Sequence, residues 1–180
     1  PLYEEMGRHN REMKRARSFI RQKRGKSEFE LCVIDSYPEF FQQAIEAERG
    51  LEAIEKEEKM PLFLCHGDLD HHHVLMGGNY VAIVEYNRIH LGVQAADLYR
   101  FMRKVMEKHG WNLRLGAMML DAYERILPMS EKERKCLYYL FLYPEKYWKQ
   151  LNYYYNANKA WIPARNTDKL KALQEQEEAR

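Results

Sequence analysis

Few cysteines, almost no net charge and no long apolar run mark this 180-residue chain. Cys32, Cys65 and Cys136 are three in number and far apart. An odd, scattered set excludes a disulfide framework and a cysteine-based zinc site, and suits a reducing compartment. A formal net charge of +2 excludes wholesale nucleic-acid binding and an acidic tail. No apolar run approaches the roughly 20 residues a membrane helix needs, and no signal-peptide pattern opens the chain. A chain opening on Pro1 instead of methionine reads as a processed or truncated product. There is no internal repeat and no low-complexity linker. What is present is a core-forming composition: 46% hydrophobic and 13% aromatic residues exclude a disordered chain.

Apolar periodicity predicts helices on both sides of a short β segment. The first helix runs from Leu2 to Arg24, stopped by Gly25, with Met6, Met13, Ala16 and Ile20 on one face. Its many cations, Arg8, Arg11, Lys14, Arg15, Arg17 and Arg21 among them, read as a solvated face; an anion- or nucleic-acid-binding patch is the sharper alternative. Ser36 is read as the cap of a second helix, with Pro38 in its first turn and an end near Glu58. Leu62 to Cys65, Val74 to Met76 and Tyr80 to Glu85 are the β runs, the last two flanking the hairpin signal Gly77-Gly78-Asn79. Helices follow over Ala95 to His109, over Leu113 to Leu127, after a Ser130/Glu133 capping box, from Pro144 to Asn158, and from Asn166 or Thr167 onward. The predicted fold class is mainly α (α+β), a single domain over residues 1–180 with a small antiparallel hairpin.

The residues that could carry chemistry lie between these β runs. His66-Gly67-Asp68-Leu69-Asp70-His71-His72-His73 forms a polar loop, Glu85-Tyr86 ends the hairpin, and Gly92-Val93-Gln94-Ala95-Ala96-Asp97-Leu98 opens a helix. An Asp on a tight loop can orient and deprotonate a hydroxyl, while a nearby amide and a carboxylate on the next strand can hold Mg²⁺ against phosphates. Three consecutive histidines invite a zinc reading, but their side chains diverge on extended backbone.

This ordered set resembles the aminoglycoside phosphotransferase and choline kinase superfamily, in which HGD is followed by Asn, an Asp before an aromatic, and G-D-P-x-x-D-L. His66, Gly67, Asp68, Val74, Leu75, Gly92, Asp97 and Leu98 match. A closer resemblance is to the CotS branch of spore-coat proteins. His9 to Met13 and onward to Ser27 to Glu30, Asp97 to Val105, Tyr143 to Lys149, Asn152 to Tyr155, and Asn158 to Trp161 carry it. The resemblance implies a kinase-like C-terminal lobe, with Asp68 at the base position, His66 structuring the loop and Asp97 anchoring it. It places the metal positions on His73 and Glu85, where the superfamily has Asn and Asp, with Asp70 a further possible donor. Gly-Asp-Pro has become Gly92-Val93-Gln94.

Histidine is a poor Mg²⁺ ligand, and Glu is one methylene longer than Asp. No Gly-rich phosphate loop is present, so the chain reads as the C-terminal lobe alone, with the N-terminal lobe absent; no nucleotide-binding residue can be named. The expectation is therefore a kinase-fold spore-coat component, a pseudokinase with a degenerate ATP-binding site, that binds other spore-coat proteins. It would be made in the mother-cell cytoplasm, with no cofactor of its own. The rivals are an active ATP- and Mg²⁺-dependent kinase, whose acceptor would be the alcohol group of a small-molecule substrate, and an anionic-surface or nucleic-acid binder using the first helix. A stacking platform of Tyr154 and Trp161 is one more candidate.

Overall fold

The computed structural model describes residues 1–57, 59–157 and 164–178. Among them are seven helices and two separate antiparallel strand pairs, and the backbone divides into two compact units, residues 1–53 with 142–180, and residues 54–141. No helix among the described residues is long and apolar enough to cross a membrane.

The first unit is helical. α1 (Leu2–Gln22) buries Met6, Met13, Ala16 and Ile20, the face its periodicity predicts. α2 (Glu28–Glu57) supplies Phe29, Val33, Tyr37, Phe40, Ala44, Ala47 and Leu51 to the core, and α6 (Glu145–Asn156) supplies Tyr147, Leu151 and Tyr154. α7 (Ala164–Glu178) adds Leu170. Buried hydroxyls and amides are satisfied internally: Tyr143 donates to Asn10, which donates to Glu48 and to the Ala44 carbonyl. On α1, Arg17 lies over the Tyr37 ring and Lys14 over Phe41, so part of its charge is used in packing.

The start of α2 corrects the sequence reading. Ser36 is not its cap but lies inside it, its hydroxyl donating back to the Cys32 carbonyl at 2.7 Å. The true start is a capping box, in which Ser27 Oγ accepts from Glu30 N–H and Glu30 Oε2 accepts from Ser27 N–H. Pro38 is therefore interior, leaving the Ile34 carbonyl without its usual helical donor. Asn166 and Thr167 also lie within their helix and not at its start. Tyr154 is 1% exposed, which rules it out as a platform, whereas Tyr153 is exposed. Asn158, Lys159, Ala160 and Trp161 lie outside the described residues.

The second unit holds the β segment. β2 (Val74–Met76) and β3 (Val81–Ile83) form the expected hairpin, closed by Gly77 N–H on the Tyr80 carbonyl at 2.9 Å. β1 (Phe63–Cys65) pairs with β4 (His90–Gly92), a strand absent from the sequence reading. Three residues with only one large apolar side chain, Leu91, leave no periodicity to detect. Leu64 and Leu91 face each other across this pair and are both exposed. α3 (Gln94–Lys108) packs on β1 and on α4 (Leu113–Ile126) through Ala95, Leu98, Tyr99, Met102 and Met106. Asn112 caps α4, and the predicted Ser130/Glu133 box caps α5 (Glu131–Leu142).

Candidate functional site

The polar loop leaves β1 at the buried Cys65 and is fastened to the start of α3. Asp97, in the first turn of that helix, accepts from the backbone N–H of His66 at 2.5 Å and of Gly67 at 3.0 Å. A carboxylate at a helix N-terminus also complements the helix dipole. His66 is 6% exposed and reaches the other way: Nε2 donates to the Val84 carbonyl at 2.8 Å, and Nδ1 accepts from Asp68 N–H at 3.3 Å. These two partners place the ring proton on Nε2. Gly67 has φ +80°, and a Cβ there would lie 2.3 Å from the Arg88 carbonyl oxygen. Only glycine lets the loop pass this close to the chain leading into β4.

Asp68 follows, half-buried. Its backbone is engaged on both sides, but among the described residues its carboxylate has no hydrogen-bond or ion-pair partner. The other acidic groups of the loop are committed. Asp70 accepts from His72 N–H at 2.8 Å and lies 3.3 Å from His73 Nδ1. Burial works against its charge, yet the His72 N–H bond and the neighbouring histidines outweigh this and hold Asp70 below the usual carboxylate range. His73 donates from Nδ1 to the Asp68 carbonyl at 2.7 Å, and its backbone bonds Asp70 and Val84. Its ring stacks beside that of His66, with centroids 5.5 Å apart.

Glu85 is exposed and sits at φ +69°, a left-handed conformation uncommon for a residue with a side chain. Its carboxylate accepts from Asn87 Nδ2 at 3.3 Å. His71 accepts from Lys108 Nζ at 3.1 Å. Burial, then His72 and Lys108, hold His71 below its usual value.

The metal that the resemblance implies is Mg²⁺. Mg²⁺ takes hard oxygen donors in octahedral geometry. His73 is a nitrogen donor, with Nδ1 turned to Asp68, and among the described residues no three His, Cys, Asp or Glu side chains converge to hold a metal ion. The nitrogen donor at His73 is thus a poor match to Mg²⁺ at that one position. The sequence identifies the loop residues by their order, but not Val84, Asn87 and Lys108 as partners of His66, Glu85 and His71. Those contacts join positions 2 to 37 residues apart without any motif.

No family model matches the chain, and no curated protein matches it. Among solved structures it is similar to an aminoglycoside phosphotransferase from Alicyclobacillus acidocaldarius, with a TM-score of 0.85 and 16% identity. The match covers 99% of this chain and 56% of the other, so the chain spans about half the length of that structure. At this identity the likeness gives the fold alone: a helical architecture with small antiparallel β pairs.

Proposed function

We propose that the chain is the C-terminal, helical lobe of a CotS-like spore-coat protein, a partner-binding component in which phosphotransfer is weak or lost. The observation that carries this reading is the bond from His73 Nδ1 to the Asp68 carbonyl at 2.7 Å. At the position where the superfamily offers an amide to the metal, this chain closes its own loop. Meanwhile the bonds that shape the loop, from His66 to Val84 and from Asp97 to the His66 and Gly67 amides, are all made. A scaffold kept in good order around an altered metal position suits a protein selected for its surfaces more than for turnover. The resemblance of long stretches to CotS proteins, which no motif of the catalytic loop requires, supports the spore-coat assignment.

One observation favours the active-kinase reading. The Asp68 carboxylate is uncommitted and half-buried, as a base accepting the proton of an attacking hydroxyl must be. The test is turnover of ATP by the full-length protein with Mg²⁺ and a panel of amino alcohols and sugars. The expected result is no turnover above background. A rate of about 1–100 s⁻¹, ordinary for a kinase, abolished in Asp68→Asn, would overturn the proposal in favour of catalysis. For the coat assignment, a fluorescent fusion should localise to the forming coat of the spore; uniform cytoplasmic fluorescence through sporulation would reject it.

A further inference from the structure

From one side of α3 we infer that this protein binds an acidic polypeptide segment through the exposed Lys108 and the half-buried Lys104 and Arg100, beside the His71 end of the polar loop. These cations recur at intervals of four residues and so stand on one side of the helix. That side is opposite the core stripe of Ala95, Leu98, Tyr99, Met102 and Met106. The loop reaches the same side. His71 accepts from Lys108 at 3.1 Å, and Lys104 is near enough to act on the same ring.

Three carboxylates of the loop and of α3 are committed elsewhere. Asp97 holds the His66 and Gly67 amides, Asp70 takes His72 N–H, and Glu107 pairs with Arg103 at 2.8 Å. Among the described residues none of Arg100, Lys104 and Lys108 is in an ion pair. Other helices of the chain answer an exposed lysine with a glutamate four residues earlier: Glu131 for Lys135 on α5, Glu145 for Lys149 on α6. On α3 the positions four residues before and after Lys104 are Arg100 and Lys108. Like charges at that spacing destabilise a helix, and a bound anion removes the penalty.

The size of the face selects the ligand. Eight residues of helix rise about 12 Å, which about four residues of extended peptide match. Three cations over that length suit a short run of Glu or Asp. They are too few for a nucleic-acid track, which neutralises phosphates along a longer path. The inference takes its biological sense from the partner-binding reading above, but its test measures peptide binding and is separate from nucleotide turnover.

Fluorescence anisotropy on the full-length protein, with a labelled all-glutamate peptide as probe, tests it. The peptide should bind, a glutamine peptide of equal length should not, and affinity should fall as salt rises. The double change Lys104→Glu, Lys108→Glu should weaken binding about tenfold or more, and Lys104→Gln, Lys108→Gln should weaken it less. The α1 control Arg15→Glu, Arg21→Glu should leave it unchanged. Circular dichroism checks folding, and the glutamine pair remains the readout if the charge reversal does not fold. Equal loss in the α1 control, no preference for glutamate over glutamine, or tighter binding of a single-stranded oligonucleotide of equal charge would each overturn the inference.

Discussion

Asp97 and Gly67 are the residues on which the loop geometry depends most directly. Asp97→Ala leaves two loop amides without their acceptor, and a lost bond to a charged group costs about 1.5–3 kcal/mol. Asp97→Asn keeps one acceptor oxygen and should cost less; urea unfolding followed by fluorescence measures both. If Asp97→Ala unfolds at the parent midpoint, the anchoring bonds contribute nothing. Gly67→Ala meets the Arg88 carbonyl at 2.3 Å and also forces φ +80° on a side chain. It should destabilise by about 2 kcal/mol or more, read in the same experiment. The sequence made these residues visible because His-Gly-Asp and a downstream Asp-Leu stand in the order that the family resemblance implies. It hid the use of His73 Nδ1 on Asp68 and the left-handed backbone at Glu85, which depend on rotamer and φ and leave no trace in residue type.

At the scale of elements, the junction of α1, α2 and α6 turns on Glu30. This carboxylate is 1% exposed and accepts from Lys23 Nζ at 2.5 Å, Tyr154 Oη at 2.6 Å and Ser27 N–H at 2.9 Å. Burial disfavours its charge, but the three donors outweigh burial and hold Glu30 below the usual glutamate range. A carboxylate with a depressed folded-state pKa contributes stability that is present above its unfolded value and is lost as pH falls through the folded one. Stability should therefore decline with acid below about pH 4.5, and Glu30→Gln should both lower the urea midpoint at pH 7 and flatten that decline. The loss at pH 7 is expected to be about 2 kcal/mol. A parent and variant with parallel pH profiles would show that Glu30 is not the titrating group.

The same junction shows why helix boundaries were harder to read than helices. Ser27-Glu28-Phe29-Glu30 carries the capping-box pattern, but Ser36 followed by Pro38 offers the stronger generic start signal. Packing of Phe29 and Val33 into the core decides for the earlier start, and it tolerates the interior proline. Strand β4 went unread for a related reason: its pairing with β1 is a long-range contact, and His90-Leu91-Gly92 has no alternation of its own.

At the scale of the molecule, two separable features bear on the proposed loss of phosphotransfer, and each can be tested. One is extent: the chain spans about half the length of the solved phosphotransferase it is similar to. The other is the pair of altered positions, His73 and Glu85. Calorimetry on the 180-residue chain should show weak or no binding of Mg²⁺-ATP. The full-length protein then isolates the second feature. His73→Asn removes the imidazole that bonds the Asp68 carbonyl and supplies an amide oxygen. Glu85→Asp withdraws the carboxylate by one methylene, and a displacement of about 1 Å can change a rate on the order of 100-fold. The double variant is expected to gain Mg²⁺-dependent nucleotide binding that the parent lacks, with the loop otherwise intact because Asp97 and His66 are untouched. Failure of both proteins to bind would show that loss extends beyond these two residues, which strengthens the structural reading. Equal, Mg²⁺-dependent binding by both would show that His73 and Glu85 are no impediment, and the self-closed loop would lose its meaning as a mark of lost catalysis.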